Sequence, residues 1–305
     1  MEDMKFADYY ENWITTYKAG AVRDVTMKKY RMALVWLRKL APDLTISQIN
    51  RLTYQNLLNE YAKEHEHQTT TDFHHLLKAS ILDAIDDGLI QRDPTRKVVI
   101  KGKRPRKKKP KFLSQAELEA LLNTLELGNV PNMDWLILVI AKTGLRYSEA
   151  LALTPADFDF KNLQLSVTKT WDYKNKEGGF ADTKNRSSIR KIPIDWKLAL
   201  QLSELTKDLP EDDPIFIEKG KTTYNSTIND FLTRKCKQAK VPVIAVHGLR
   251  HTHASILLYA GVSVASVARR LGHSNMSTTQ KVYLHIITEL ENKDNNLIMG
   301  ALCNL

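Results

Sequence analysis

The chain of 305 residues has 43% hydrophobic content, enough for two domains with cores of their own, and its 45 Lys+Arg outnumber 35 Asp+Glu to give a net charge of +10. Its longest wholly apolar stretch, Trp135 to Ala141, is too short to span a bilayer, and the polar, acidic N-terminus is unlike a signal peptide, so membrane and secreted classes are excluded and a cytoplasmic protein is expected. Cys236 and Cys303 lie far apart without a C-x-x-C pattern, which argues for free thiols over a disulfide framework or zinc ribbon, while the charge asks for an anionic partner without choosing among DNA, RNA, a membrane surface or an acidic protein.

In chain order, aromatic and aliphatic residues recur at helical spacing in Phe6 to Tyr17, Thr26 to Leu40, Tyr54 to Tyr61 and Thr70 to Ile85, with Gly88 suited to a helix stop. These predict a small helical bundle over residues 1–100. Lys101 to Lys111 is a basic run with two prolines, where like-charge repulsion disfavours a helix or core strand. It is read as the domain boundary, either a solvated linker or an extended strap laid along phosphates.

The second domain, 112–305, opens with Ser114 and Glu117 as a capping box, followed by Leu118, Leu121, Leu122 and Leu125 on one helix face. Trp135 to Ala141 is apolar all round, as in a helix buried in mid-core, and Gly144 can end it. Leu163 to Thr168 and Ile189 to Ile194 alternate and predict a small antiparallel β-sheet. Val264, Val267, Ala268 and Leu271 form a last stripe between Ser263 as N-cap and Gly272 as C-cap, which puts His273 just beyond a helix end. The tail from Glu289 is weakly amphipathic and is expected to cover its own core. The fold class expected is mainly α with a small antiparallel β-sheet.

Within the second domain Arg146, Lys184, His247, Arg250, His273 and Tyr283 read as a phosphate-gripping site with a phenol placed to attack. Two guanidiniums can each fork onto a pair of phosphate oxygens, where negative charge accumulates during attack. Alone, Arg146 would be an ordinary surface ion-pair partner and Tyr283 an ordinary core or surface tyrosine. A metal reading of His247, His251 and His253 fails for want of cysteines or carboxylates at ligand spacing, and a two-metal nuclease would need clustered carboxylates. His65, His67, His74 and His75 lie in the other domain without matching partners.

The run Thr143-Gly144-Leu145-Arg146-Tyr147-Ser148-Glu149, the frame Thr183-Lys184-Asn185-Arg186-Ser187-Ser188-Ile189-Arg190-Lys191-Ile192-Pro193, the run His247-Gly248-Leu249-Arg250-His251-Thr252-His253, and Leu271-Gly272-His273 with Tyr283 ten positions on resemble, in order, the boxes of the tyrosine recombinases, especially phage-type integrases. The resemblance covers nearly the whole chain, more loosely before Phe112.

It implies two domains forming a clamp around double-stranded DNA: a helical, SAM-like core-binding domain and a catalytic domain. It further implies strand cleavage and rejoining through a 3′-phosphotyrosine and a Holliday junction, without cofactor or metal. The working assembly would be a homo-tetramer on DNA with accessory DNA-bending or directionality factors. Tyr283 would be the nucleophile, Glu149 a support for Arg146, and Lys184 the acid that protonates the leaving 5′-oxygen. His247 is the expected base and His273 a phosphate-oxygen partner, although the two imidazoles could exchange roles. Many phage integrases carry a further N-terminal arm-binding domain, whereas this chain enters its core-binding-like region at Phe6; either such a segment is missing or the chain resembles simpler recombinases that resolve dimers or invert segments. A type IB topoisomerase and a noncatalytic DNA-binding or architectural protein are the alternatives.

Overall fold

The computed structural model describes residues 3–104, 110–175, 177–183, 185–218, 224–277, 279–280 and 283. The chain divides into two compact units, 1–107 and 108–305. Among the described residues no helix is long and apolar enough to cross a membrane.

The first unit consists of α1 (Phe6–Tyr17), α2 (Asp24–Leu40), α3 (Arg51–Glu64) and α4 (His67–Asp86). Its core is unusually aromatic: Phe6, Tyr10 and Tyr54 are fully buried alongside Leu37, Leu77 and Ile81. Such large rings bury much apolar area per side chain and so stabilise a small bundle. Two of the polar ends are provided for: the Trp13 indole N–H donates to Asp83 at 2.5 Å, and the Tyr54 hydroxyl lies 2.9 Å from Nδ1 of His74, whereas the buried Tyr10 hydroxyl has no hydrogen-bond partner among the described residues. Asn50 caps α3 by accepting from the Leu52 and Thr53 amides, and Gly88, at φ +75°, closes α4.

The basic run begins bound to this unit. The amide of Lys103 donates to His65 O at 2.7 Å, and Gly102 runs against the His67 backbone, where a Cβ would stand 2.2 Å from the amide nitrogen. Gly102 is therefore a close-approach position that no other residue could fill without displacing backbone. Residues 105–109 of the run lie outside the described residues.

The second unit holds α5 (Gln115–Leu122), α6 (Met133–Thr143), α7 (Tyr147–Leu151), α8 (Trp196–Thr206), α9 (Asn225–Gln238), α10 (Val246–Tyr259) and α11 (Val264–Leu271). The strands are β1 (Phe158–Asp159), β2 (Gln164–Val167), β3 (Lys169–Trp171), β4 (Phe180–Asp182) and β5 (Arg190–Pro193). Two antiparallel sheets form where one was expected: β1-β2-β5, and a separate β3-β4 pair. In the first, Leu165 and Val167 of β2 and Ile192 of β5 turn into the core, which fixes the register Leu165 to Ile192.

Helix α6 is the hub, with Trp135 to Ala141 all buried. It packs against α10, so the helix that leads into the first arginine box and the helix that carries the histidine-arginine run share one core. At its end Gly144 takes a left-handed φ of +71°, and a Cβ there would come 2.6 Å from the His253 ring. The Ser114–Glu117 capping box and the Ser263 and Gly272 caps form as expected, with Ser263 Oγ accepting from the Ser266 amide. Helix α5 ends at Leu122, and Leu125 packs on the core from the following turn.

Candidate active site

Arg146 is the N-cap residue of α7, three positions past the end of α6, so its guanidinium leaves a junction held by buried helices. Nη1 donates to Glu149 Oε1 at 2.6 Å and to Ser188 Oγ at 3.4 Å, and Nη2 donates to Gly272 O at 3.0 Å. About a third of the side chain stays exposed (32%), as a group that must meet a ligand requires.

Glu149 is 1% exposed and sits among three guanidiniums. Besides Arg146 it accepts from Arg190 Nη1 at 3.3 Å and Nη2 at 3.0 Å, and Arg250 Nη1 lies 4.0 Å away. Burial pushes its carboxyl up, but Arg190, then Arg146 and Arg250, outweigh it and hold the group below the usual carboxylate range. It is therefore ionised at neutral pH and acts as the shared counter-charge of the site.

Arg250, on α10, is 2% exposed. It donates through Nη1 to Gly144 O at 2.7 Å and through Nη2 to Leu271 O at 2.5 Å, tying the C-terminal ends of α6 and α11 together. Among the described residues, the second N–H of each of these nitrogens has no protein acceptor, so the fork retains donors for a ligand. Burial first, then repulsion from Arg146, lowers its pKa to about 9, still cationic at neutral pH.

His273 follows the α11 cap and contacts Thr279 Oγ1 through Nδ1 at 2.7 Å. That contact settles the ring orientation and leaves Nε2 without a protein partner among the described residues. Tyr283 lies four positions after Thr279, is 1% exposed, and packs with Ala254, Leu258, Val267 and Leu271. Its hydroxyl is 2.8 Å from His251 Nδ1. Burial raises the phenol to about 12 against the opposite pull of Arg250.

The structure thus brings Arg146, Arg250, His247, His273 and Tyr283 into one cluster, while Lys184 lies outside the described residues. His247 stands on the exposed side, its ring edge-on to His251 with centroids 4.7 Å apart. The crowding of surrounding protein, then Arg250 and Arg146, lower its pKa from the usual histidine value. The ring against the Tyr283 hydroxyl is that of His251, which the sequence had raised only as a metal ligand. The four-residue spacing that puts 247 and 251 on one helix face was the available signal. Arg190, whose Nε donates to Arg270 O at 2.6 Å, and Thr279 were likewise not singled out. His253 is structural: Nδ1–H donates to Ala141 O at 3.0 Å and Nε2 accepts from Arg270 Nε at 2.8 Å.

Burial holds several of these imidazoles neutral, with pKa near 4 for His74, His251 and His273 and near 3 for His253. Each lies below the ordinary unfolded value of about 6.5, so between the two values the unfolded chain binds more protons than the folded one. Stability is therefore fully present above about pH 6.5 and is lost as pH falls toward 4. Thermal unfolding should show a falling midpoint between about pH 6.5 and 5, above the range where carboxylates titrate. A midpoint that stays level across that interval would contradict the buried neutral state.

The profile of the Phage integrase family matches residues 111–289, more than half of the chain. The chain belongs to this family of tyrosine recombinases. Among its relatives, the integrase of Staphylococcus phage L54a is 30% identical over 50% of this chain and 48% of its own length. A tyrosine recombinase XerC-like protein of Caldanaerobacter subterraneus subsp. tengcongensis is 27% identical over 94% of this chain and 80% of its own length. The ICEBs1 integrase of Bacillus subtilis (strain 168) is 31% identical over 47% and 42% respectively. The match therefore spans about half the length of the two integrases.

The fold is shared with the Tn1549 transposon integrase in complex with transposon right end DNA, at a TM-score of 0.76 and 20% identity over 92% of this chain and 95% of that one. It is shared also with a lambda integrase dimer bound to a COC′ core site, at a TM-score of 0.65 and 16% identity over 90% and 97%.

Proposed function

We propose that this chain is a site-specific DNA recombinase that cleaves and rejoins strands through Tyr283. The observation that carries the reading is a buried phenol within the field of Arg250, whose guanidinium shares one buried carboxylate with that of Arg146. Arg146 and Arg250 would grip the non-bridging oxygens of one phosphodiester, with the free Nε2 of His273 as a third donor and His247 on the open side. Pre-set donors of this kind stabilise charge that develops during attack without having to reorganise.

Tyr283 Oη forms a bond to phosphorus as the bond to the 5′-oxygen breaks, giving a 3′-phosphotyrosyl bond and a free 5′-hydroxyl. Lys184 is the acid in this reading, four positions before Ser188, the hydroxyl that accepts from Arg146. A partner strand's 5′-hydroxyl then reverses the step through a Holliday junction. Because the covalent bond conserves the phosphodiester energy, strand exchange runs without ATP.

The partner is a duplex carrying a recombination site, held by four protomers in the cytoplasm with accessory bending or directionality factors. The helical domain of residues 1–100, the basic strap 101–111 and the catalytic domain 112–305 would each contribute to binding it. Relatives whose names include integrase, transposase and tyrosine recombinase support this substrate class.

The test is a nicked suicide duplex carrying sequence from beside the gene, from which the short downstream fragment with the freed 5′-hydroxyl diffuses away. The expected result is a denaturation-resistant protein–DNA adduct. Relaxation of a supercoiled plasmid regardless of sequence would instead indicate a type IB topoisomerase, and tight binding without any adduct a noncatalytic DNA-binding protein.

A further inference from the structure

We infer that His251, through Nδ1, takes the hydroxyl proton of Tyr283 as the phenol attacks phosphorus and returns it when the strand is resealed. The inference rests on the recombinase reading above and gives the base role to a residue other than His247.

Geometry favours it first. Nδ1 of His251 is 2.8 Å from the Tyr283 hydroxyl, within the reach a general base needs. The imidazole comes from α10, whose Arg250 ties two other helix ends, so the ring is carried on a rigid element. The other imidazoles are otherwise engaged: His273 Nδ1 meets Thr279, His253 is bonded at both nitrogens, and His247 contacts the His251 ring edge-on.

Need follows from burial. A phenol held near 12 is ionised in only about one molecule in ~10⁵ at neutral pH, so attack without a proton acceptor would be slow by a comparable factor. The groups facing His251 are His247 and Arg250 on its own helix, Lys111 before α5, His273 beyond α11, and Tyr283 itself. Burial, then its neighbours His247, Arg250 and Lys111, hold it near 4, so it is unprotonated and able to accept at neutral pH. A phosphodiester bound between Arg146 and Arg250 brings negative charge that opposes this repulsion and raises the proton affinity of the imidazole when attack occurs.

The protons balance. On cleavage the Tyr283 proton goes to His251 Nδ1, the Oη–P bond forms, and the P–O5′ bond breaks with its oxygen protonated by Lys184. On resealing, the 5′-hydroxyl gives its proton to Lys184 and attacks phosphorus, and the departing Tyr283 oxygen recovers its proton from His251.

The test uses the whole chain and the suicide duplex described above, with single-turnover adduct formation followed from pH 6 to 8.5. The natural protein is expected to give a nearly level profile. His251→Ala should be slower by roughly 10²–10⁴-fold at neutral pH, with a rate rising about 10-fold per pH unit and partial rescue by added imidazole. An undiminished rate, or a slower but level profile without rescue, would overturn the inference, since a merely structural role does not change the pH slope.

If the natural protein forms no adduct, the recombinase reading is at fault, and ¹³Cζ-tyrosine NMR then tests the contact by itself. The Tyr283 resonance, assigned by its loss in Tyr283→Phe, should move and titrate differently in His251→Ala. No movement would overturn the inference on that route as well.

Discussion

Tyr283→Phe is expected to abolish the denaturation-resistant adduct, a loss exceeding ~10⁴-fold, because no other group supplies the attacking oxygen. Binding of the same duplex should change little, since the phosphate-gripping guanidiniums and the basic surface remain. The fold should tolerate the change: the ring stays packed with Leu258, Val267 and Leu271, and the hydroxyl's loss removes one hydrogen bond worth about 1 kcal/mol. Gel analysis of the adduct beside a mobility-shift titration separates the two quantities. An adduct that persists in this variant would move the nucleophile elsewhere and end the reading of this site.

Arg250→Ala is expected to damage both chemistry and stability. Chemistry loses a preorganised cation at the phosphate, which costs roughly 10²–10³-fold or more in cleavage. Stability loses the donors that satisfy Gly144 O and Leu271 O in a site 2% exposed, and Glu149 loses one of its three cationic neighbours. Removing one member of a buried charged network costs about 3–5 kcal/mol, enough to lower the unfolding midpoint clearly. Arg250→Lys separates the roles, because an ammonium restores charge but cannot fork to two carbonyls and a phosphate together. Partial recovery of stability with cleavage still depressed ~10²-fold is the expected result; full recovery of both would show that a point charge suffices.

Much of this architecture was legible in the chain itself. The four stripes of the first unit became α1 to α4, starting and ending within a few residues of the predicted spans, because amphipathic spacing and aromatic bulk leave a small bundle few other ways to bury its rings. Ser114, Ser263, Gly144 and Gly272 acted as caps because their local chemistry suffices. Helices α8 and α9 were not singled out: their apolar stripes are short, Leu198, Leu202 and Leu205 in one and Ile228 and Leu232 in the other, and need the α6 core to become stable. The β3-β4 pair was missed for a similar reason, since Phe180 to Asp182 is exposed and shows no alternation of burial.

The sequence by itself brought forward five of the side chains that cluster here, Arg146, His247, Arg250, His273 and Tyr283, because their functional groups in that order suit phosphate chemistry. Only the tertiary structure decided which imidazole meets the phenol, that Glu149 balances three guanidiniums, and that Arg190 and Thr279 orient the groups around them. Those pairings span up to about a hundred residues along the chain, as between Glu149 and Arg250, and several elements in space. They follow from how α10, α11 and β5 pack on α6, and side-chain packing of that kind has no period that a linear pattern can display.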